Sequence, residues 1–195
     1  MNNFYIRMNI KMSFRIEKLV YEFNVINAIG DGSCMFHSIL QGFNKSYINS
    51  SFEDKIKIIR QFRKDLSEIL DEDIDGKMCY KQLSRGSLEE FSQIVPETSL
   101  QNMKKSLSSN EWGDVRFLEL ISNILNIDIY IIWNKTKKIY SLGDKELYYK
   151  NRDSIIILNS GNFHFDTIGL KTENGTRTLF DKNEPVIKQL RSKLV

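Results

Sequence analysis

Cys34 ends the polar, glycine-bearing run Asn27-Ala28-Ile29-Gly30-Asp31-Gly32-Ser33 and begins an apolar pattern. Phe36, Ile39, Leu40 and Phe43 follow it at helical spacing, so the cysteine opens a helix behind a loop able to take unusual backbone angles. A thiol at such a junction sits beside the positive end of the helix dipole and unpaired N–H groups, a setting that suits a sulfur nucleophile. The loop's own N–H groups could hold an oxyanion. A sulfur nucleophile needs a base, and the sequence offers two histidines, His37 and His164. His164 lies in Ser160-Gly161-Asn162-Phe163-His164-Phe165-Asp166-Thr167-Ile168, which alternates like a strand after a turn. Residues two apart on a strand share a face, so His164 and Asp166 point one way and Phe163 and Phe165 the other. A carboxylate placed there can hold one imidazole nitrogen and turn the other toward a thiol.

Blander readings compete with this one. A lone cysteine is commonly a small buried hydrophobe, but a core cysteine has no need of a Gly-Asp-Gly-Ser lead-in. A glycine loop before a helix also suits phosphate, yet no Lys-Ser/Thr pair follows and no G-x-G-x-x-G is present. His37 lies three residues after Cys34 on the same helix and is expected to be a packing or hydrogen-bonding residue at the helix surface. Two Cys and two His could in principle form one zinc site, but Cys79 has no ligand nearby in sequence, and Cys34-x-x-His37 is half a site. No cofactor or metal is expected.

At these residues the chain resembles the OTU (ovarian-tumour) family of cysteine proteases, most of which are deubiquitinases. Asp31-Gly32-Ser33-Cys34-Met35-Phe36-His37-Ser38 is similar to the family's Asp-Gly-x-Cys-Leu-Phe-x-Ala/Ser box. Trp112-Gly113-Asp114, followed by Leu118-Glu119-Leu120-Ile121-Ser122, resembles its Trp-Gly segment, and His164-Phe165-Asp166-Thr167-Ile168 its His-Tyr-Asp/Asn-Ser-Val ending. The resemblance spans about residues 25–168. It implies an α+β, papain-like fold with a small central β-sheet flanked by helices. It implies that Cys34 is the nucleophile, that His164 is the base and then the acid for the departing amine, and that Asp166 orients His164. Asp31 and its loop would shape the oxyanion site, and in some members an aspartate here also supports the histidine. Met35, Phe165 and Ser33 depart from the commoner Leu, Tyr and Asn, and Ser33 leaves the detail of the oxyanion loop open. The implied activity is a cysteine isopeptidase that removes ubiquitin or a ubiquitin-like modifier from lysine through a thioester at Cys34. The same residues would serve a papain-like thiol hydrolase of other specificity, or a ubiquitin-binding module whose triad is misaligned.

Composition bounds the partners. The 195 residues suit one domain with a sizeable core. A net charge of +3, with bases mixed among acids, does not argue for nucleic acid or a membrane surface. Two cysteines are too few for a secreted disulfide scaffold and fit a reduced cytoplasmic setting. No signal peptide or membrane span is evident. Richness in Ile, Asn and Lys suggests an AT-rich genome, as in many intracellular bacteria, parasites and large viruses; for such a source the setting becomes the host cytoplasm. A monomer is expected.

The elements that must position the site follow from periodicity. Residues 1–24 read as a lead segment packing on the domain, 25–170 as the catalytic domain and 171–195 as a C-terminal extension with a short helix near 186–194. The catalytic helix should run over 34–43, then a loop over 44–51. A long amphipathic helix should begin at a Ser50/Glu53 capping box. Ser87 with Glu90 should cap a shorter helix broken by Pro96. Another helix is expected over 100–107, and Asp114 should cap the next, with Phe117, Leu118, Ile121, Ile124 and Leu125 as its core stripe. Strands are expected over 128–133, 138–142, 154–159 and 163–168. Trp112 is expected to anchor its loop in the core.

Overall fold

Ile155, Ile156, Ile157 and Leu158 form an unbroken apolar run, as does the stretch from Ile129 to Ile132. Such runs mark strands covered on both faces. In the computed structural model they are β6 (Ser154–Asn159) and β5 (Asp128–Trp133), paired in parallel at one end of a mixed sheet. The structure describes residues 11–16, 19–109, 111, 113, 115–136, 138–140, 142, 144–161, 164–173 and 175–194. Trp112, Asp114 and Phe163, and the expectations attached to them, lie outside these residues.

Before these two strands, the chain lays down β1 (Lys11–Ile16) and β2 (Leu19–Ile26), then α1 (Cys34–Phe43), α2 (Lys45–Ile48) and α3 (Phe52–Ile69). A small hairpin, β3 (Asp73–Ile74) and β4 (Lys77–Met78), leads to α4 (Cys79–Gln82), α5 (Leu88–Phe91), α6 (Leu100–Ser108) and α7 (Leu118–Leu125). After β5 come α8 (Lys145–Tyr148), β6, β7 (Phe165–Thr172), β8 (Gly175–Arg177), β9 (Leu179–Phe180) and α9 (Pro185–Ser192). The sheet runs β1–β2–β7–β6–β5, with β8 added to β7 and β9 to β6.

Alternation along β5 and β6 divides the interior. Ile129, Ile131, Ile155 and Ile157 face a core shared with α1, α3, α6 and α7, while Tyr130, Ile132, Ile156 and Leu158 face α9. Val186, Ile187 and Leu190 on α9 are at most 1% exposed. The α+β architecture, a sheet flanked by helices, is therefore the one the sequence implies. The segments read as lead and extension contribute strands to this same sheet: β2 spans position 24 and β7 spans position 170.

Local readings needed adjustment where backbone bonds decide the boundary. Ser51, not Ser50, caps α3: its hydroxyl accepts from the Asp54 N–H at 3.2 Å and donates to the Asp54 carboxylate. Within the expected 44–51 loop, Asn44 accepts from the Tyr47 N–H at 2.9 Å and starts the short α2. Ser87 donates to the Ser84 carbonyl and caps nothing, so α5 is a single turn. Among the described residues of the expected 138–142 strand, the pairing is one bridge, Ile132 to Ile139.

Gly113, from the Trp-Gly segment, has a steric reason to be glycine. A Cβ there would lie 2.5 Å from Phe36 Cε2. Phe36 is fully buried and boxed in by the Phe62 and Phe117 rings, so it cannot yield. Gly113→Ala should destabilise the fold by about 1–3 kcal/mol. A thermal melt lowered by roughly 3–10 °C reads this; an unchanged melt would show that the Phe36 box is loose.

Candidate active site

The α1 helix begins with Cys34, β7 carries Asp166, and a buried clamp joins the two elements. The Thr167 hydroxyl on β7 donates to the Ser38 carbonyl on α1 at 2.8 Å. Ser38 in turn donates to the Cys34 carbonyl at 2.7 Å. One strand position before the clamp stands Asp166, and one turn of helix before it stands Cys34. This joint brings together residues 129 positions apart.

Cys34 is 6% exposed and begins α1 as expected. His164 does not lie within a strand over 163–168. It immediately precedes β7, because backbone bonds from Ser160 N–H to the His164 carbonyl (2.9 Å) and from His164 N–H to the Gly161 carbonyl (3.1 Å) close a turn there. The strand instead runs on to Thr172. The side-chain placement is nevertheless the expected one. His164 Nε2 lies 2.9 Å from Asp166 Oδ1, and the ring also hydrogen-bonds the Cys34 thiol group. With Nε2 held by the carboxylate, Nδ1 is the nitrogen left for sulfur.

Asp166 is fixed from three sides. The Ala28 N–H donates to Oδ1 at 3.0 Å, the Ser160 hydroxyl donates to Oδ2 at 2.9 Å, and His164 shares Oδ1. Burial pushes the Asp166 carboxyl up, but hydrogen bonds from His164, Ala28 and Ser160 outweigh it and hold it below its ordinary value. The hydrogen bonds to Asp166 and then to Cys34 push His164 up to about 10, against the opposing cost of partial burial. The arrangement therefore stores a proton on the ring at neutral pH.

Asp31 takes a different place. Its Oδ1 accepts from the Ser33 N–H at 2.9 Å, and its Oδ2 lies 3.2 Å from His37 Nε2. Burial raises its carboxyl and the His37 hydrogen bond lowers it, with a net shift downward. The carboxylate thus shapes the turn before Cys34 and faces His37 rather than the ring of His164. His37 itself is not at a helix surface. It is fully buried, with Nδ1 2.6 Å from the Tyr47 hydroxyl on α2. The surface expectation fails because α1 is covered on nearly every side, with Cys34 through Leu40 all buried. Gly32 supplies the turn's left-handed residue, at φ +89°, and its carbonyl accepts from the Gly113 N–H at 3.4 Å.

Sequence reasoning missed Arg63. It is 3% exposed and lies against this loop, with Nη1 donating to the Ser33 hydroxyl at 2.7 Å. The available signal was its position: Ile59, Arg63, Leu66 and Leu70 fall on one stripe of the long helical pattern, so a charge occupies a core site. Cys79 is buried at the start of α4; desolvation, then the Glu72 and Glu119 charges, push its thiol up. Among the described residues, no group of three or more His, Cys, Asp or Glu side chains is placed to hold a metal ion. No helix among them is long and apolar enough to cross a membrane.

The family model for OTU-like cysteine proteases matches residues 29–162, from the loop before Cys34 almost to the His164 turn. The chain belongs to the OTU-like cysteine protease family. Among curated proteins, this OTU-like chain is 22% identical over 167 residues to the RNA-directed RNA polymerase L of Crimean-Congo hemorrhagic fever virus. The match takes in 80% of the chain but 4% of the polymerase, so the chain spans a small fraction of that relative's length. Among solved structures, it resembles an ovarian tumour (OTU) domain in complex with ubiquitin, with a TM-score of 0.57 and 20% identity over 94% of this chain and 88% of that one. An OTU deubiquitinase from Wolbachia pipientis wMel aligns with a TM-score of 0.46 and 21% identity, covering 87% of this chain and 95% of that one. The first of these likenesses shows the OTU fold.

Proposed function

We propose that this OTU-like protease is a deubiquitinase: a cysteine isopeptidase that removes ubiquitin or a ubiquitin-like modifier from lysine side chains. The observation that carries this reading is the hydrogen-bonded run from Cys34 through His164 to Asp166. Cys34 sulfur attacks the carbonyl carbon of the modifier's C-terminal glycine, and the carbonyl π electrons move onto oxygen. The oxyanion is assigned to backbone N–H groups of the turn that opens α1. As the C–N bond breaks, the His164 imidazolium gives its proton to the lysine amine. Water then gives a proton to the neutral ring and attacks the thioester, and the sulfur leaves as thiolate. Asp166 holds the ring in register throughout. Cys79 is the poorer candidate for the nucleophile, since its environment disfavours the thiolate.

The choice of modifier is supported by the family and by one similar OTU domain whose structure is a complex with ubiquitin. With two free cysteines, the chain suits a reducing cytoplasm, that of the host if the source is a virus or intracellular bacterium. It is read as acting as a monomer. An electrophilic ubiquitin probe tests the proposal. The expected result is a covalent adduct mapped to Cys34. Tight reversible binding without capture would reassign the chain as a binding module. Cleavage of short peptides with no response to ubiquitin-like probes would make it a thiol hydrolase of other specificity.

A further inference from the structure

Ser33 stands at the N-cap of α1, where a serine hydroxyl ordinarily accepts from an N–H of the first turn. Here its hydroxyl makes no such bond and is turned to Arg63 Nη1 instead. The other nitrogens of Arg63 are anchored in the body of the domain. Nε donates to the Leu107 carbonyl at 3.1 Å, and Nη2 donates to the carbonyls of Ser106 (2.7 Å) and Glu111 (2.9 Å). The guanidinium also lies over the Phe36 ring, 4.8 Å from its centroid. Arg63 therefore grips the chain on either side of Cys34, at Ser33 before it and Phe36 after it, while being fastened to α6. Meanwhile Asp31 holds the Ser33 N–H from the opposite direction, and is itself backed by His37 and Tyr47.

A cation buried at this point is costly unless it is fully bonded. Structural anchoring of α3 to α6 would need only the three carbonyls. The fourth bond, to a hydroxyl one residue from the sulfur, ties the nucleophile loop to that anchor. We infer that Arg63 is a positioning residue for the reaction, acting through the Ser33 hydroxyl to fix the turn that presents Cys34 and its neighbouring N–H groups. This rests on the hydrolase reading above. It also accounts for serine in the loop, since a small hydroxyl can reach the guanidinium without leaving the turn.

Ser33→Ala cuts this tie while leaving Arg63 its three carbonyl bonds. In the full chain, assayed well below its melting temperature, kcat on a ubiquitin C-terminal fluorogenic substrate should fall about tenfold. KM should stay within about twofold and the melt should drop by a few degrees, since Arg63 Nη1 loses its acceptor, whereas a purely structural contact would move the melt and leave kcat at wild type. Arg63→Lys should lower kcat as well, and the double variant Ser33→Ala/Arg63→Lys should be no worse than Arg63→Lys alone, because the two side chains act as one unit. A wild-type kcat in Ser33→Ala, or additive losses in the double variant, would overturn the inference. If Arg63→Lys does not fold, Ser33→Ala decides alone. A wild-type chain inert toward ubiquitin substrates would sink the deubiquitinase reading separately. The positioning claim would then be decided by iodoacetamide alkylation of Cys34, followed by mass spectrometry. Its rate at neutral pH should drop severalfold in Ser33→Ala if the turn holds sulfur against His164, and an unchanged rate would refute the claim.

Discussion

Cys34→Ala should abolish turnover of ubiquitin substrates and leave the protein folded. The variant loses a single sulfur atom at the first position of α1, where the helix begins from backbone bonds that do not involve the thiol, such as His37 N–H to the Ser33 carbonyl at 3.0 Å. The cavity left is small, so the stability cost should be about 1 kcal/mol or less, which shifts the melt by only a few degrees. The chemical cost is total, because without the sulfur no acyl-enzyme can form and the carbonyl carbon meets no nucleophile beside His164. The checks are initial rates and a thermal melt on the same preparation. Turnover above a few per cent of wild type would place the nucleophile elsewhere, and Cys79 is the remaining thiol in the sequence.

His164→Ala should be almost as severe, with a loss of about a thousandfold or more, since one ring performs the proton transfers of both half-reactions. The pH profile of the wild type gives the finer test. A free imidazole, with its ordinary value of 6.5, would titrate through the neutral range. Here Asp166, and after it Cys34, push the ring up to about 10. The protonated ring is the form that delivers a proton to the leaving amine, so turnover should hold across neutral pH and fall as pH climbs through about 10. Asp166→Asn removes the largest cause of the shift and should move this limb to lower pH; a limb that stays in place would assign it to another group. Folding follows the same sign. The raised value adds stability that is fully present below about pH 6.5 and is lost as pH rises through about 10.

Features fixed by local chemistry were legible in the sequence. The bounds of α1, β5 and β6 follow from apolar spacing and agree with the structure. The His164–Asp166 pair followed from the strand period, although the histidine turned out to sit in the turn just before β7. What was not legible depends on which surfaces meet. His37 reads as a surface residue until α2 places Tyr47 over it. Arg63 stands among several charges in Arg60-Gln61-Phe62-Arg63-Lys64; its place on the apolar stripe marks it as inward-facing, but its partners on α6 and the nucleophile loop come only from packing. The C-terminal stretch reads as an extension ending in a short helix, and only the structure shows that its Phe180, Val186 and Leu190 close the second face of the sheet.

The bond from Thr167 to Ser38 has a mechanical consequence. Thr167 adjoins the carboxylate that aims the imidazole, and Ser38 lies one helical turn from the sulfur. A tug on β7 therefore drags acceptor and attacker in the same direction. A protein substrate that displaced β7 on docking would thereby carry α1 with it, so the spacing of the reacting groups rests on this buried rivet together with the Arg63 tie rather than on the stiffness of the whole sheet.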